Sequence, residues 1–231
     1  VAPAGEIRIK DNSFTGRLLN IVNFRYFFSR TVNVNITGAD DTSGIDTIEY
    51  QKAARTADYD KDGVWIKGSS LTVDPGEKFI IYARITDNAG HQTIINSDGI
   101  VVYTDVAAVS EMNFIKSSRK NQDAGLTLNG NTVAEITKDG NRLEAGNYTV
   151  INDRLVFNAD YLNSLEAGKH RLEVTYNPLG ETFTTGESNG DTPQTTTITL
   201  NVKKASLMVS AVPELSLIHI SEPTRPISIS Y

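Results

Sequence analysis

The chain has 231 residues, no cysteine, a formal net charge of −6 and a pI of about 5.1. This length allows one large domain or two modules of about 100 residues each. The absence of cysteine excludes a disulfide framework, a cysteine metal site and a thiol nucleophile. The Lys and Arg residues are scattered and form no basic stripe, which argues against nucleic acid as a partner.

No apolar run approaches the roughly 20 residues that a membrane-spanning helix needs, so we expect no membrane span in this chain. The most apolar stretch, residues 18–28, is interrupted by Asn20, Asn23 and Arg25. This pattern favours a place in the core or in a contact between modules. The chain starts at Val1 without a leader, and we expect it to be a piece of a longer protein.

Short stretches of period-two alternation follow one another along the chain, with turn residues about every 8 to 12 residues, as is typical of β-sandwiches. In residues 31–37, Val32, Val34 and Ile36 alternate with polar residues, as a half-buried antiparallel strand requires. About seven short strands are predicted before residue 105.

Two consecutive hairpins are predicted within residues 78–103. Their turns lie at residues 87–90 and 96–99, and each turn ends in Gly, which tolerates positive φ. These hairpins would supply the last three strands of the first half of the chain.

The acidic loop at residues 58–63 matches the opening of a D-x-D-x-D-G calcium loop. Asp58, Asp60 and Asp62 would be the cation ligands, but Ser69 occupies the twelfth position, where such loops carry a bidentate Glu. The sequence therefore leaves two alternatives, a Ca²⁺ site or a solvated acidic turn without an ion.

Trp65 is the single tryptophan, and Tyr59 lies six positions before it. Exposed aromatic rings can stack on the apolar faces of sugars, which makes Trp65 and Tyr59 candidate glycan-binding residues. The pattern favours the alternative that Trp65, between Val64 and Ile66, covers a sandwich core.

Small residues replace the alternation around residues 104–110, and we place the module boundary there. The first module spans 1–104, the linker 105–110 and the second module 111–204. Seven further strands are predicted in the second module, so the fold class is all-β with two tandem antiparallel sandwiches.

One short helix is predicted in the second module. Asn158 would be its N-cap, Leu162 and Leu165 would share one face, and Gly168 would follow its end. The polar, Gly- and Thr-rich residues 177–194 are predicted to form a mobile loop that buries almost nothing.

The first module resembles the bacterial immunoglobulin-like domains that are repeated in surface proteins of Gram-positive bacteria. The resemblance rests on the acidic turn at residues 38–45 leading into Ile48-Glu49-Tyr50, and on residues 82–90. His91 stands where those domains usually have Asn. The resemblance implies an immunoglobulin-like β-sandwich over roughly residues 5–104.

The second module resembles the X2-type immunoglobulin-like module. The resemblance rests on residues 126–131 (LTLNGN), residues 143–150 (LEAGNYTV) and the helix-and-turn residues 161–168. It implies an accessory role beside polysaccharide-degrading enzymes or scaffold proteins, with binding to cellulose or cell walls. Residues 177–194 depart from a compact X2 pattern.

The end of the chain differs from the rest. Residues 205–214 are interpreted as the start of a truncated third module. Residues 215–231 (LSLIHISEPTRPISISY) resemble the conceptual translation of a transposase-type sequencing adapter, and we exclude them from functional reasoning.

No catalytic constellation is apparent, because His91 and His170 fall in different modules and no G-x-S-x-G elbow is present. We therefore predict non-catalytic spacer modules of a large extracellular protein on the surface or cell wall of a Gram-positive bacterium. The partners would be neighbouring immunoglobulin-like modules. The alternative is an accessory module of a polysaccharide-degrading or adhesin protein that binds polysaccharide or peptidoglycan.

Overall fold

The computed structural model describes residues 1–16 and 22–206, which form nineteen β-strands and one α-helix. The first module contains β1 (Ala4–Ile9), β2 (Asn12–Thr15), β3 (Phe24–Phe28), β4 (Val32–Ala39), β5 (Ile45–Ala53), β6 (Ile66–Lys67), β7 (Ser70–Val73), β8 (Glu77–Asp87), β9 (Gln92–Asn96) and β10 (Gly99–Val102). The second contains β11 (Glu111–Ile115), β12 (Gln122–Thr127), β13 (Thr132–Lys138), β14 (Asn141–Arg142), β15 (Tyr148–Ile151), β16 (Arg154–Phe157), α1 (Ala159–Ser164), β17 (Gly168–Asn177), β18 (Asn189–Gly190) and β19 (Thr196–Lys203). Single 3-10 turns lie at Thr56–Asp58, Ala145–Asn147 and Pro178–Gly180.

The first module is a sandwich of two sheets. One sheet has the order β2-β1-β4-β7, and the other has the order β3-β10-β8-β5-β6, with β9 also paired to β8. The predicted alternation of β4 is confirmed, since Val32, Val34 and Ile36 are buried and the asparagines between them are exposed. These side chains meet Ile81, Ile100 and the other buried residues of the second sheet in one core.

The first predicted hairpin of the first module is confirmed and the second is wrong. β8 and β9 are antiparallel and are joined at residues 87–90. β10 does not pair with β9. Both strands pair with the same edge of β8: β9 pairs with the second half of β8, and β10 pairs with its first half. Residues 97–98 therefore interrupt the pairing along this edge and do not reverse the chain. Buried Ser97 fills the interruption by accepting a hydrogen bond from the Ile81 N–H and donating its own N–H to the Ile81 carbonyl.

The second module is a smaller sandwich, and the all-β prediction holds for both modules. Its sheets have the orders β11-β19-β17-β13-β14 and β12-β16-β15. β11 runs parallel to β19, which joins the first and last strands of the module. Leu126, Phe157 and Leu200 are fully buried members of the core between the sheets.

The helix α1 lies where the sequence predicts it, and Leu162 and Leu165 are buried in the second core. Asn158 occupies the N-cap position, but its side chain makes no capping bond. Its Nδ2 donates instead to the Gly146 carbonyl at 2.6 Å, which ties the start of the helix to the loop before β15.

Within the described ranges, no helix has the length and hydropathy that crossing a membrane requires. The described part of the apolar stretch at residues 18–28 includes β3, which lies in the first module. Most of the predicted third-module start and all of residues 215–231 lie outside the described residues.

Candidate functional site: the joint between the modules

The second module binds the end of the first module and the linker that follows it. Asn131 Nδ2 donates to the Thr104 carbonyl at 2.8 Å, and Asn129 Nδ2 donates to the Asp105 carbonyl at 2.6 Å. Ala107 then exchanges both backbone hydrogen bonds with Thr127. The second module therefore holds backbone groups of Thr104, Asp105 and Ala107.

The loop at residues 178–195, which we call the joint loop, leaves the second module and packs on the first. The prediction that residues 177–194 bury almost nothing is therefore wrong. β18, within this loop, pairs in parallel with β3 of the first module, with Gly190 opposite Phe27. The Asp191 N–H donates to the Phe27 carbonyl at 2.7 Å. The sheet of the first module thus ends in two residues from the second.

Apolar side chains of the joint loop cover part of the outer face of the first module. Phe27, Val101 and Tyr103 point away from the main core, yet their exposed fractions are only 0%, 0% and 2%. Leu179 and Phe183 pack against them, and the rings of Phe183 and Phe27 meet edge to face at 5.3 Å. Two of the few apolar residues of an otherwise polar loop therefore carry the contact.

Charged groups also form contacts across the joint. The Asp191 carboxylate accepts hydrogen bonds from the Ser29 N–H at 2.8 Å and the Ser29 hydroxyl at 2.9 Å. These bonds, the backbone bond first, hold the pKa of Asp191 below its usual value. Lys78 Nζ lies 2.8 Å from both the Leu179 carbonyl and the Glu181 carboxylate.

Sequence reasoning missed most of these residues as functional candidates. Asn129 and Asn131 were noted within the LTLNGN segment, but no pattern revealed that their amides hold the linker. A usable signal was the pair of uninterrupted apolar runs in β8 and β10, since a strand that is apolar at successive positions is buried on both faces.

The acidic loop of the first module is held by protein groups. Asp58 pairs with Arg55 at 3.4 Å, and Asp60 Oδ1 accepts the Asp62 N–H at 2.9 Å. Gln51 anchors the loop by accepting from the Asp60 N–H and donating to the Asp60 carbonyl. Among the described residues, no three His, Asp or Glu side chains are arranged to hold a metal ion.

Calcium binding at this loop stays a prediction, and the contacts of the acidic side chains indicate how its test should turn out. Because Asp58 and Asp60 already have protein partners, we expect Ca²⁺ added to chelator-treated protein to leave the thermal midpoint of Trp65 fluorescence unchanged. A rise of the midpoint that disappears in the Asp62→Asn variant would contradict this expectation and establish the site.

Tyr59 and Trp65 lie together on the outer face of the first module, but they form no flat platform. Their rings stand at 81° to each other, and Tyr59 is stacked on Tyr82 with 4.3 Å between ring centroids. The Arg84 guanidinium covers the Trp65 ring at 4.6 Å, and the indole N–H donates to the Lys61 carbonyl. The geometry fits the core-covering interpretation, and glycan binding at these residues stays a prediction.

Each module contains a carboxylate that anchors a turn. Buried Asp87 accepts hydrogen bonds from the Ala89 and His91 N–H groups and contacts the His91 ring at 2.9 Å. Burial alone would raise its pKa, but these hydrogen bonds lower the pKa from 3.8 to about 2. Asp139 accepts from the Arg171 N–H and pairs with Lys138 and His170, and these contacts lower its pKa to about 2 as well.

Because of these two carboxylates, we expect the protein to become less stable toward unfolding in acid. Because their folded pKa values lie below the unfolded value of 3.8, their stabilising contribution is present above pH 3.8 and is lost as the pH falls toward about 2. We expect the denaturant midpoint of Trp65 fluorescence to fall across this window. In the Asp87→Asn variant, the denaturant midpoint of the first module should depend less steeply on pH. An unchanged pH dependence would show that Asp87 does not cause the loss of stability.

The carboxylates of Asp87, Asp139 and Asp191, whose pKa values are lowered, each accept hydrogen bonds from backbone N–H groups. What the described contacts can do is hold two sandwiches in a set orientation.

Comparison with protein families gives one match. Residues 108–185 match the family described as carbohydrate binding domain X2. The matched segment covers most of the second module and includes the start of the joint loop. It supports an X2-type, immunoglobulin-like second module. No curated protein matches the sequence.

Solved structures of multi-module proteins are similar at low identity. The tandem immunoglobulin domains of titin are 11% identical, with 89% of this chain and 99% of that chain covered and a TM-score of 0.32. The fibronectin(III)-like modules of Clostridium thermocellum CbhA are 11% identical, with 86% and 94% covered and a TM-score of 0.26. Bacteroides ovatus SGBP-B, in complex with a mixed-linkage heptasaccharide, is 13% identical, with 86% and 47% covered and a TM-score of 0.30. At these scores the similarities carry no functional argument.

Proposed function

We propose that this chain is a non-catalytic spacer in a large extracellular protein of the surface or cell wall of a Gram-positive bacterium. Its two modules would hold neighbouring modules at a set distance and angle. The observation that carries the proposal is the joint, where Asn129 and Asn131 bind the carbonyls of Asp105 and Thr104 and the joint loop docks on β3. Modules connected by a free linker would change orientation readily, whereas a packed joint restricts this motion.

The proposal is tested by measuring the distance between the modules. The chain has no cysteine, so spin labels can be placed at Asn35→Cys and Lys169→Cys, two exposed positions in different modules. We expect double electron–electron resonance between the two spin labels to give one narrow distance distribution. The pair Thr149→Cys and Lys169→Cys, within the second module, gives the width that the labels contribute. A distribution much broader than this control would overturn the spacer proposal.

A second candidate is glycan binding by the second module, and the family match over residues 108–185 favours it. The ligand class would be cellulose or another cell-wall polysaccharide, including peptidoglycan. Trp65 and Tyr59 of the first module are the alternative position for such a contact.

Retention on insoluble cellulose and on purified peptidoglycan tests this second candidate. We expect the chain to be retained on at least one of them and the Trp65→Ala variant to be retained equally, because Arg84 and the Lys61 carbonyl already engage the Trp65 ring. A loss of retention in the variant would move the site to the first module, and no retention on either polymer would reject glycan binding.

A further inference from the structure

The outer face of the first module is covered by two different parts of the chain. One half, formed by Ala53, Ile80 and Tyr82, is covered by Tyr59 and Trp65 of the same module. The other half, formed by Phe27, Val101 and Tyr103, is covered by Phe24 of the first module and by Leu179 and Phe183 of the second module. The first module therefore supplies only part of the cover of this half.

The same half of the module also has an incomplete sheet edge. β3 pairs with β10 on one side, and on its other side its partner is β18 of the joint loop. An edge strand beside an exposed apolar face is a site where proteins pair with other chains. In this protein the joint loop occupies both the edge and the face.

The close approach at Gly190 shows how tightly the loop fits this edge. Gly190 has a φ of 91°, and a Cβ atom at this position would overlap the carbonyl group of Phe27. Gly186, in the same loop, has a similar φ of 87°, yet a Cβ atom there would meet nothing within 4 Å. The two glycines differ in their contact with the first module and not in their backbone region.

We infer that the joint loop is an integral part of the first module's fold, so that the two modules form one cooperative unit. The partner of the β3 edge and of the Phe27 face is the loop of the module that follows in the chain. The first module is accordingly matched to a second module that carries this loop. This inference goes beyond the spacer role, because it concerns the stability of the modules and holds whatever their distance distribution is.

The test uses the full chain and measures each module separately. Trp65, the single tryptophan, reports unfolding of the first module by fluorescence, and hydrogen exchange with mass spectrometry reports both cores. We expect Gly190→Ala, a change in the second module, to lower the Trp65 thermal midpoint by at least about 4 °C, a shift typical of a destabilising substitution in a domain of about 100 residues. Amide exchange of β3 and β10 should rise at least about tenfold.

Gly186→Ala is the matched control, because it introduces the same positive-φ strain without the overlap, and it is expected to change both measurements much less than Gly190→Ala does. Phe183→Ala is the second variant; it removes apolar cover without a backbone clash and should lower the Trp65 midpoint in the same direction. If the Trp65 midpoint and the exchange of β3 stay at wild-type values in both Gly190→Ala and Phe183→Ala, the modules are independent and the inference is overturned. A narrow inter-module distance with this result would leave the spacer proposal standing.

Discussion

The Asn131→Ala variant is expected to lose about 2 to 4 kcal/mol of unfolding free energy, because each buried polar group left without a partner costs about 1 to 3 kcal/mol. Asn131 is 5% exposed, and its amide serves three backbone groups. Nδ2 donates to the carbonyls of Thr104 and Leu128, and Oδ1 accepts the Leu179 N–H at 3.1 Å. One side chain thus connects the end of the first module, the turn before β13 and the start of the joint loop.

Denaturant unfolding measures this loss, with Asn141→Ala as the control. Asn141 is exposed and makes one long hydrogen bond at 3.4 Å to the Asp139 carbonyl, so its replacement should cost less than about 0.5 kcal/mol. We also expect the Asn131→Ala variant to broaden the distance distribution between Asn35→Cys and Lys169→Cys. Equal stabilities of the two alanine variants would show that Asn131 does not hold the joint.

The Phe27→Ala variant is expected to lose about 3 to 5 kcal/mol, the usual cost of removing a fully buried phenylalanine ring. Phe27 is 0% exposed and lies between Val101 and Tyr103 of its own module and Phe183 of the other. The loss should appear in the Trp65 denaturant transition. Phe14→Ala, at a half-buried ring on the edge strand β2, should cost less than half as much.

A double-mutant cycle separates the contact across the joint from the rest of the Phe27 effect. Phe27→Ala, Phe183→Ala and the double variant should show a coupling energy of about 0.5 to 1.5 kcal/mol, as edge-to-face aromatic pairs do. Additive losses would mean that the two rings contribute independently and that the packing at 5.3 Å adds no stability of its own.

Local patterns in the sequence predicted many strands of each sandwich but not all, since the first module has ten strands where about seven were expected and the second has nine where seven were expected. The alternation of Val32, Val34 and Ile36 places one face of β4 in the core, because successive side chains of a strand point to opposite faces. The helix α1 was also predictable from Asn158 and the leucines that follow it. Each of these features follows from a pattern of apolar residues that repeats every two to four positions along the chain.

The second hairpin shows where local patterns fail. Residues 96–99 have the composition of a reversing turn, yet β9 and β10 continue along one edge of β8. Turn residues permit a reversal without requiring it. Here Ser97 pairs with Ile81 on the neighbouring strand, a contact between residues 16 positions apart that composition does not reveal.

The sequence by itself determined the all-β class of two tandem sandwiches, and it offered Trp65 as a core-covering residue. Only the tertiary structure decided that the polar residues 178–195 dock on the first module, because docking depends on two apolar side chains, one carboxylate and one glycine meeting residues about 75 to 165 positions away. A loop with few apolar residues resembles a mobile loop until its partner surface is known. The surface that it meets is the half of the first module's outer face formed by Phe27, Val101 and Tyr103, which Phe24 of the first module covers only in part.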